Sequence, residues 1–145
     1  MKDNEVINDL IQINNDRIRG YENAATQASD NNLRSLFKDM SAESEQCVQE
    51  LRGLAVKEGG EPANGTTIRG KIYRAWMDLK AAFTGNDRKS LLASCEFGED
   101  SLQRAYRSAL KEPISASTRD LVEKQQRHLL QSHDRIRDLK DSSPS

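Results

Sequence analysis

Apolar residues recur along this chain at alternating steps of three and four, the spacing of one face of an α-helix. Over about Asp3 to Ala28 that face reads Ile7, Ile11, Asn14, Ile18, Tyr21, Ala25 and Ala28, widened by Val6 and Leu10. After the polar break Asp30-Asn31-Asn32, a second helix over about Asn32 to Glu58 carries Leu33, Phe37, Met40, Ser44, Cys47, Leu51 and Leu54. Asp30 or Asn31 can cap its start, and Gly59-Gly60 ends it, because glycine turns left-handed at no steric cost. The stretch Gly59 to Thr67 reads as a loop, and a shorter helix, about Ile68 to Phe83, shows Ile68, Ile72, Trp76, Leu79 and Phe83 on one face. A fourth helix, about Asp87 to Lys111, carries Leu91, Leu92, Cys95, Glu99, Leu102, Tyr106 and Leu110. Pro113 breaks it, and Ser115 or Ser117 can cap a fifth over about Ala116 to Leu139, with Leu121, Val122, Gln125, Leu129, Ser132, Ile136 and Leu139. The polar tail, Asp141 to Ser145, is expected to be disordered. No stretch alternates with period two. The expected class is all-α, one domain over residues 1–140.

Helix lengths then choose a topology. Four helices of about 24 to 27 residues are each roughly 36 to 40 Å long. Short turns near 29–31 and 112–115 make antiparallel hairpins of the first two and the last two. The loop and shorter helix between the hairpins have the reach to run the length of a bundle. That is a ferritin-like four-helix bundle with one additional crossover helix between the second and third bundle helices. It requires the first and fourth helices to run antiparallel, and it sends the crossover along the outside, packed through Trp76 and Phe83.

Composition narrows the class further. Lys plus Arg number 22 and Asp plus Glu 23, for a net charge of −1, so the basic excess of a nucleic-acid binder is missing. No apolar run is long enough for a membrane span, and Met1-Lys2-Asp3-Asn4-Glu5 does not open a signal peptide, so a cytoplasmic protein is expected. Cys47 and Cys95 lie on core stripes and read as small hydrophobes rather than nucleophiles. Tyr21 and Tyr106 read as core residues whose hydroxyls need partners. Gly20, Gly53 and Gly98 fall inside helices, where glycine costs roughly 1 kcal/mol against alanine. Gly59, Gly60 and Gly65 lack the spacing of a phosphate loop.

The chain is similar to a bacterial family of ferritin-like four-helix-bundle proteins classed as a domain of unknown function. The similarity rests on Asn8-Asp9-Leu10-Ile11, Gly20-Tyr21-Glu22-Asn23-Ala24-Ala25, Gly59-Gly60-Glu61-Pro62, Arg74-Ala75-Trp76 with Leu79-Lys80, Cys95-Glu96-Phe97-Gly98-Glu99-Asp100 and His133-Asp134-Arg135-Ile136-Arg137. The resemblance implies the fold and no established activity.

Each long helix also places a polar residue on its core stripe: Asn14, Ser44, Glu99, and Gln125 with Ser132. Counted from one bundle end, Asn14, Ser44, Glu99, Gln125 and His128 fall within roughly 6 Å of one another along the axis at 1.5 Å per residue, one polar layer at mid-bundle. Buried polar groups need partners, so the layer must satisfy itself or hold an ion. A di-iron bundle supplies a Glu from each of two helices and Glu-x-x-His from each of the other two. Here Gln125 stands three residues before His128 and Leu130 three before His133, so that motif is absent. The candidate ligands are Glu99, His128, Glu43, Gln125, Glu22 and Glu96, with Glu22 and Glu96 open to solvent exposure. The favoured expectation is a metal-free hydrogen-bonded layer in which Glu99 meets His128 or Gln125. No cofactor is expected, and a divalent metal is the alternative. Extra apolar residues on the first helix (Val6, Leu10, Ile13) suggest a homodimer, with no nucleic-acid or membrane partner. The functional expectation is a non-catalytic, stress- or assembly-related bundle, the alternative a metal-binding one with a degenerate carboxylate/histidine site.

Overall fold

The computed structural model describes residues 2–28, 30–57 and 88–143. Four helices make up nearly all of them: α1 (Lys2–Gln27), α2 (Asn31–Lys57), α3 (Arg88–Leu110) and α4 (Ala116–Ser142). No strand occurs among the described residues, which are all-α as the periodicity requires. Three helices fall within a residue of the spans their stripes predict. The last runs on past Leu139 to Ser142, into the stretch expected as tail. The shorter helix over Ile68 to Phe83, with Trp76 and the loop before it, lies outside the described residues. No described helix is long and apolar enough to cross a membrane.

Helix starts are set by side-chain caps. Asp30 Oδ1 accepts from the backbone N–H groups of Asn32 (2.8 Å) and Leu33 (3.2 Å), satisfying two donors that α2 cannot satisfy internally. Ser115 caps α4 by accepting from Thr118 N. Both caps are also tied across the bundle. Asp30 Oδ2 pairs with Arg88 at the start of α3. Asp3, in the first turn of α1, accepts from Ser115 N at 3.0 Å and from Thr118 Oγ1 at 3.0 Å. These bonds hold the Asp3 carboxyl below its ordinary pKa against the cost of its burial.

The cross-helix bonds give the directions. Along α1, Asn14 meets Tyr106 while Arg17 and Tyr21 meet Glu99, so α1 and α3 run antiparallel, as the sequence requires of its first and fourth helices. Along α2, Glu43 meets Ser132 while Glu50 meets Gln125, so α2 and α4 are antiparallel as well. Within the hairpins, Ser44 bonds Asn14 and Gln103 bonds Gln126. The helices therefore sit in the order α1, α2, α4, α3 around a square, and α2 ends at the opposite end of the bundle from where α3 begins. Packing is closest inside each hairpin and narrower between hairpins.

Two apolar clusters fill the centre. One contains Ile7, Leu10, Ile11, Leu51, Leu102, Val122 and Leu129; the other contains Tyr21, Phe37, Met40, Leu92, Cys95 and Ile136. Each large aliphatic side chain buried here contributes roughly 1.5–3 kcal/mol. The polar layer lies between the two clusters.

Candidate functional site

The centre of the polar layer is a residue that the sequence reading passes over. Arg17, on α1, is fully buried, with 0% of its surface exposed. Its guanidinium donates from Nε to Glu99 Oε2 (2.8 Å) and from Nη2 to Glu99 Oε1 (3.0 Å), two parallel bonds to a carboxylate that is itself wholly buried. Nη1 turns the other way, to Glu43 Oε1 (2.9 Å), Ser44 Oγ (2.9 Å) and the Met40 carbonyl (3.2 Å), all on α2. Its Cζ also lies 5.3 Å from the centroid of the Tyr21 ring, in cation–π range. Burial by itself disfavours the charged guanidinium, yet Glu99, Tyr21 and Glu43 outweigh it and raise the Arg17 pKa further.

The layer continues as a chain of neutral groups. Tyr21 donates its hydroxyl to Glu99 Oε2 at 3.1 Å. Ser44 Oγ, which accepts from Arg17, donates to Asn14 Oδ1 at 2.9 Å. Asn14 Nδ2 donates to the Tyr106 hydroxyl, which donates to Gln125 Oε1, both at 2.8 Å. Gln125 Nε2 then bonds the Cys47 carbonyl (3.2 Å) and Glu50 Oε1 (3.0 Å). All four helices contribute, at the level their polar stripe positions predict.

Each candidate ligand now has a place. Glu99 pairs with Arg17 in place of the expected His128. His128 lies with its side chain 64% exposed and bonds Glu43 Oε2 through Nε2 at 2.9 Å. Glu43, at 12% exposure, is the member through which the layer reaches solvent, and Ser132 donates to both its oxygens at 2.8 Å. It faces a groove of about 370 Å³ between α2 and α4, lined by Cys47, Glu50, Lys124, Gln125, Arg127 and His128 among others. Glu22 is exposed and lines a separate groove on the α1–α2 surface with Arg34 and Lys38. Glu96 pairs with Lys140 of α4. The structure thus brings Glu99, Glu43, His128 and Gln125 into one network, and leaves Glu22 and Glu96 outside it.

The donor set does not suit a di-metal centre. Three hydrogen-bond donors already occupy the two Glu99 oxygens, and the guanidinium stands between Glu99 and Glu43. At an effective dielectric of about 20, a dication roughly 4 Å from that positive charge is repelled by about 8 kcal/mol. Among the described residues, no group of three or more His, Cys, Asp or Glu is arranged to hold a metal. The buried thiols and phenols around the layer are held in their protonated forms as well. Burial pushes the Cys47 thiol up to about 12 and the Cys95 thiol higher still, and it raises both the Tyr21 and Tyr106 hydroxyls well above their usual range.

Fold and core together define a four-helix bundle with a charge-paired polar layer at its centre. A model of the family described as Domain of unknown function (DUF2383) matches residues 3–112, and the chain belongs to that family. The matched stretch takes in α1, α2 and α3; α4, with Gln125, His128 and Ser132, lies beyond it. No curated protein matches the chain.

Proposed function

We propose that this protein is a ferritin-like helical bundle that performs no reaction and works through its surface, as a cytoplasmic homodimer in a stress- or assembly-related role. The observation that carries the non-catalytic reading is Arg17. A buried guanidinium bonds both carboxylates that a ferritin-like metal site would use, leaving neither a free ligand set nor an activated acid, base or nucleophile in the layer. The order of helices around the square, with α2 and α3 ending and starting at opposite bundle ends, supports the ferritin-like topology and a crossover between them. The near-zero net charge supports a partner other than nucleic acid. The test is metal analysis of wild-type protein purified without chelator, with light scattering on the same sample. The expected result is no stoichiometric metal and a mass near twice the 16.3 kDa of the chain. Stoichiometric iron, zinc or manganese would sink the metal-free part, and a monomer mass the dimer.

One observation favours the second reading, a divalent metal at a degenerate carboxylate/histidine site. Glu43 Oε2 and His128 Nε2 lie 2.9 Å apart at the edge of the α2–α4 groove, a carboxylate oxygen and an imidazole nitrogen of the kinds that bind zinc. On that reading zinc raises the wild-type melting temperature and His128→Ala abolishes the rise.

A further inference from the structure

We infer that the core of this bundle is a cation site occupied from within, and that Arg17 holds the place of a divalent ion. The inference rests on the metal-free reading above and says what lies behind it. The atoms that face the guanidinium are nearly all oxygens from two helices, α2 and α3: both oxygens of Glu99, Oε1 of Glu43, Oγ of Ser44 and the carbonyl of Met40, with the Met40 sulfur at 3.4 Å from Nη2. That is the donor set of a hard dication such as Mn²⁺. Its charge also fits an ion better than it fits arginine. Two carboxylates face a single positive charge, and the surplus negative charge is passed outward from Glu43 to His128 and Ser132. A dication balances Glu43 and Glu99 without that help.

The oxygens do not depend on Arg17 alone for their positions. Tyr21 holds Glu99, Ser132 and His128 hold Glu43, and Asn14 holds Ser44. Truncating Arg17 therefore leaves a lined cavity with the wholly buried Glu99 and the part-buried Glu43 deprived of the guanidinium between them. They must take up protons or capture a cation, because an unpaired buried charge is not tolerated. Metal capture releases those protons, so affinity rises with pH.

The experiment titrates Mn²⁺ into wild type, Arg17→Ala and Arg17→Ala/Glu99→Gln, following the electron paramagnetic resonance signal of the free ion. Arg17→Ala is expected to bind one Mn²⁺ per chain, about tenfold or more tighter than wild type, since a neighbouring positive charge is worth over a decade in affinity. The double variant loses that binding, and binding to Arg17→Ala weakens as pH falls. If Arg17→Ala alone loses its helical circular dichroism, Mn²⁺ must restore it. Arg17→Gln, neutral and of similar reach, gives a second background with the same expectation. Failure of both folded variants to bind, failure of Mn²⁺ to restore an unfolded one, or binding indifferent to Glu99 would overturn the inference. Tight Mn²⁺ binding by wild type that Glu99→Gln removes would instead sink the metal-free reading, so the two failures are distinguishable.

Discussion

Asn14 and Gln125, on diagonally placed helices, are joined through one hydroxyl: Tyr106 accepts from the first and donates to the second, each at 2.8 Å. Replacing Tyr106 with Phe keeps the buried ring and deletes the link, so Gln125 Oε1 loses the donor shown for it. A buried polar atom left without its partner costs about 1–3 kcal/mol. Urea denaturation of Tyr106→Phe should show a loss of that size with an unchanged slope; a neutral result would mean that the chain of bonds adds nothing to stability.

The Arg17–Glu99 pair should behave as a unit. Breaking a buried ion pair from one side costs about 3–5 kcal/mol, because the survivor keeps its desolvation cost and loses its partner. Glu99→Leu therefore destabilises strongly, because it removes two of the bonds to the guanidinium and leaves Glu43 as its one counter-charge, while Glu99→Gln, which can still accept from the guanidinium, costs less. A double-mutant cycle with Arg17→Met and Glu99→Leu should give a coupling energy of about 2–3 kcal/mol. Additive effects would show that the two side chains are not coupled.

Sequence reasoning recovered the four long helices because their stripes are long and regular, and it placed Asn14, Ser44, Glu99 and Gln125 in one layer by counting rise per residue. Its miss was the cation. Arg17 sits one position before Ile18, the residue taken for the stripe, and a charged side chain on a helix is ordinarily solvated. The signal was nevertheless present: Leu10, Asn14, Arg17, Tyr21 and Ala24 also step by four and three, and all five are buried. An arginine on such a line is what an apparently unpartnered Glu99 calls for. The assignment of His128 to Glu99 failed for a different reason. Axial counting fixes height and leaves azimuth open, and at that height His128 points to the α2 edge of α4 and meets Glu43.

His133 gives the chain a pH dependence. Burial disfavours its charged form, but Asp134 Oδ1 at 3.0 Å and Asp100 Oδ1 at 2.5 Å outweigh this and raise its pKa above the ordinary histidine range. A folded-state pKa above the unfolded one adds stability that is fully present below the unfolded value and is lost as pH rises through the folded value. Over the interval from about pH 6.5 upward, wild type should therefore lose stability relative to His133→Gln. Parallel urea midpoints for the two proteins across that interval would show that another group is responsible.

Gly53 lies exposed inside α2, and a Cβ built there meets nothing within 4 Å. Alanine restricts the unfolded chain and fits the helix, so Gly53→Ala should stabilise by about 0.5–1 kcal/mol. A rise of the melting temperature by a few degrees is the expected reading, and a fall would mean that the position serves a contact beyond the single chain.

The bidentate bridge between α1 and α3 also acts on alignment. Apolar stripes are forgiving, since leucines and isoleucines meet other leucines and isoleucines almost equally well after a slip. If one hairpin slid against the other by one helical turn, about 5.4 Å, Arg17 would face Cys95 or Gln103 and Glu99 would face Ile13 or Tyr21. Arg17 keeps Glu43 and Ser44 within its own hairpin, but Glu99 becomes a buried carboxylate without its guanidinium. The pair works as a single tooth in an otherwise smooth rack, and it sets which of several nearly equal packings the two hairpins adopt.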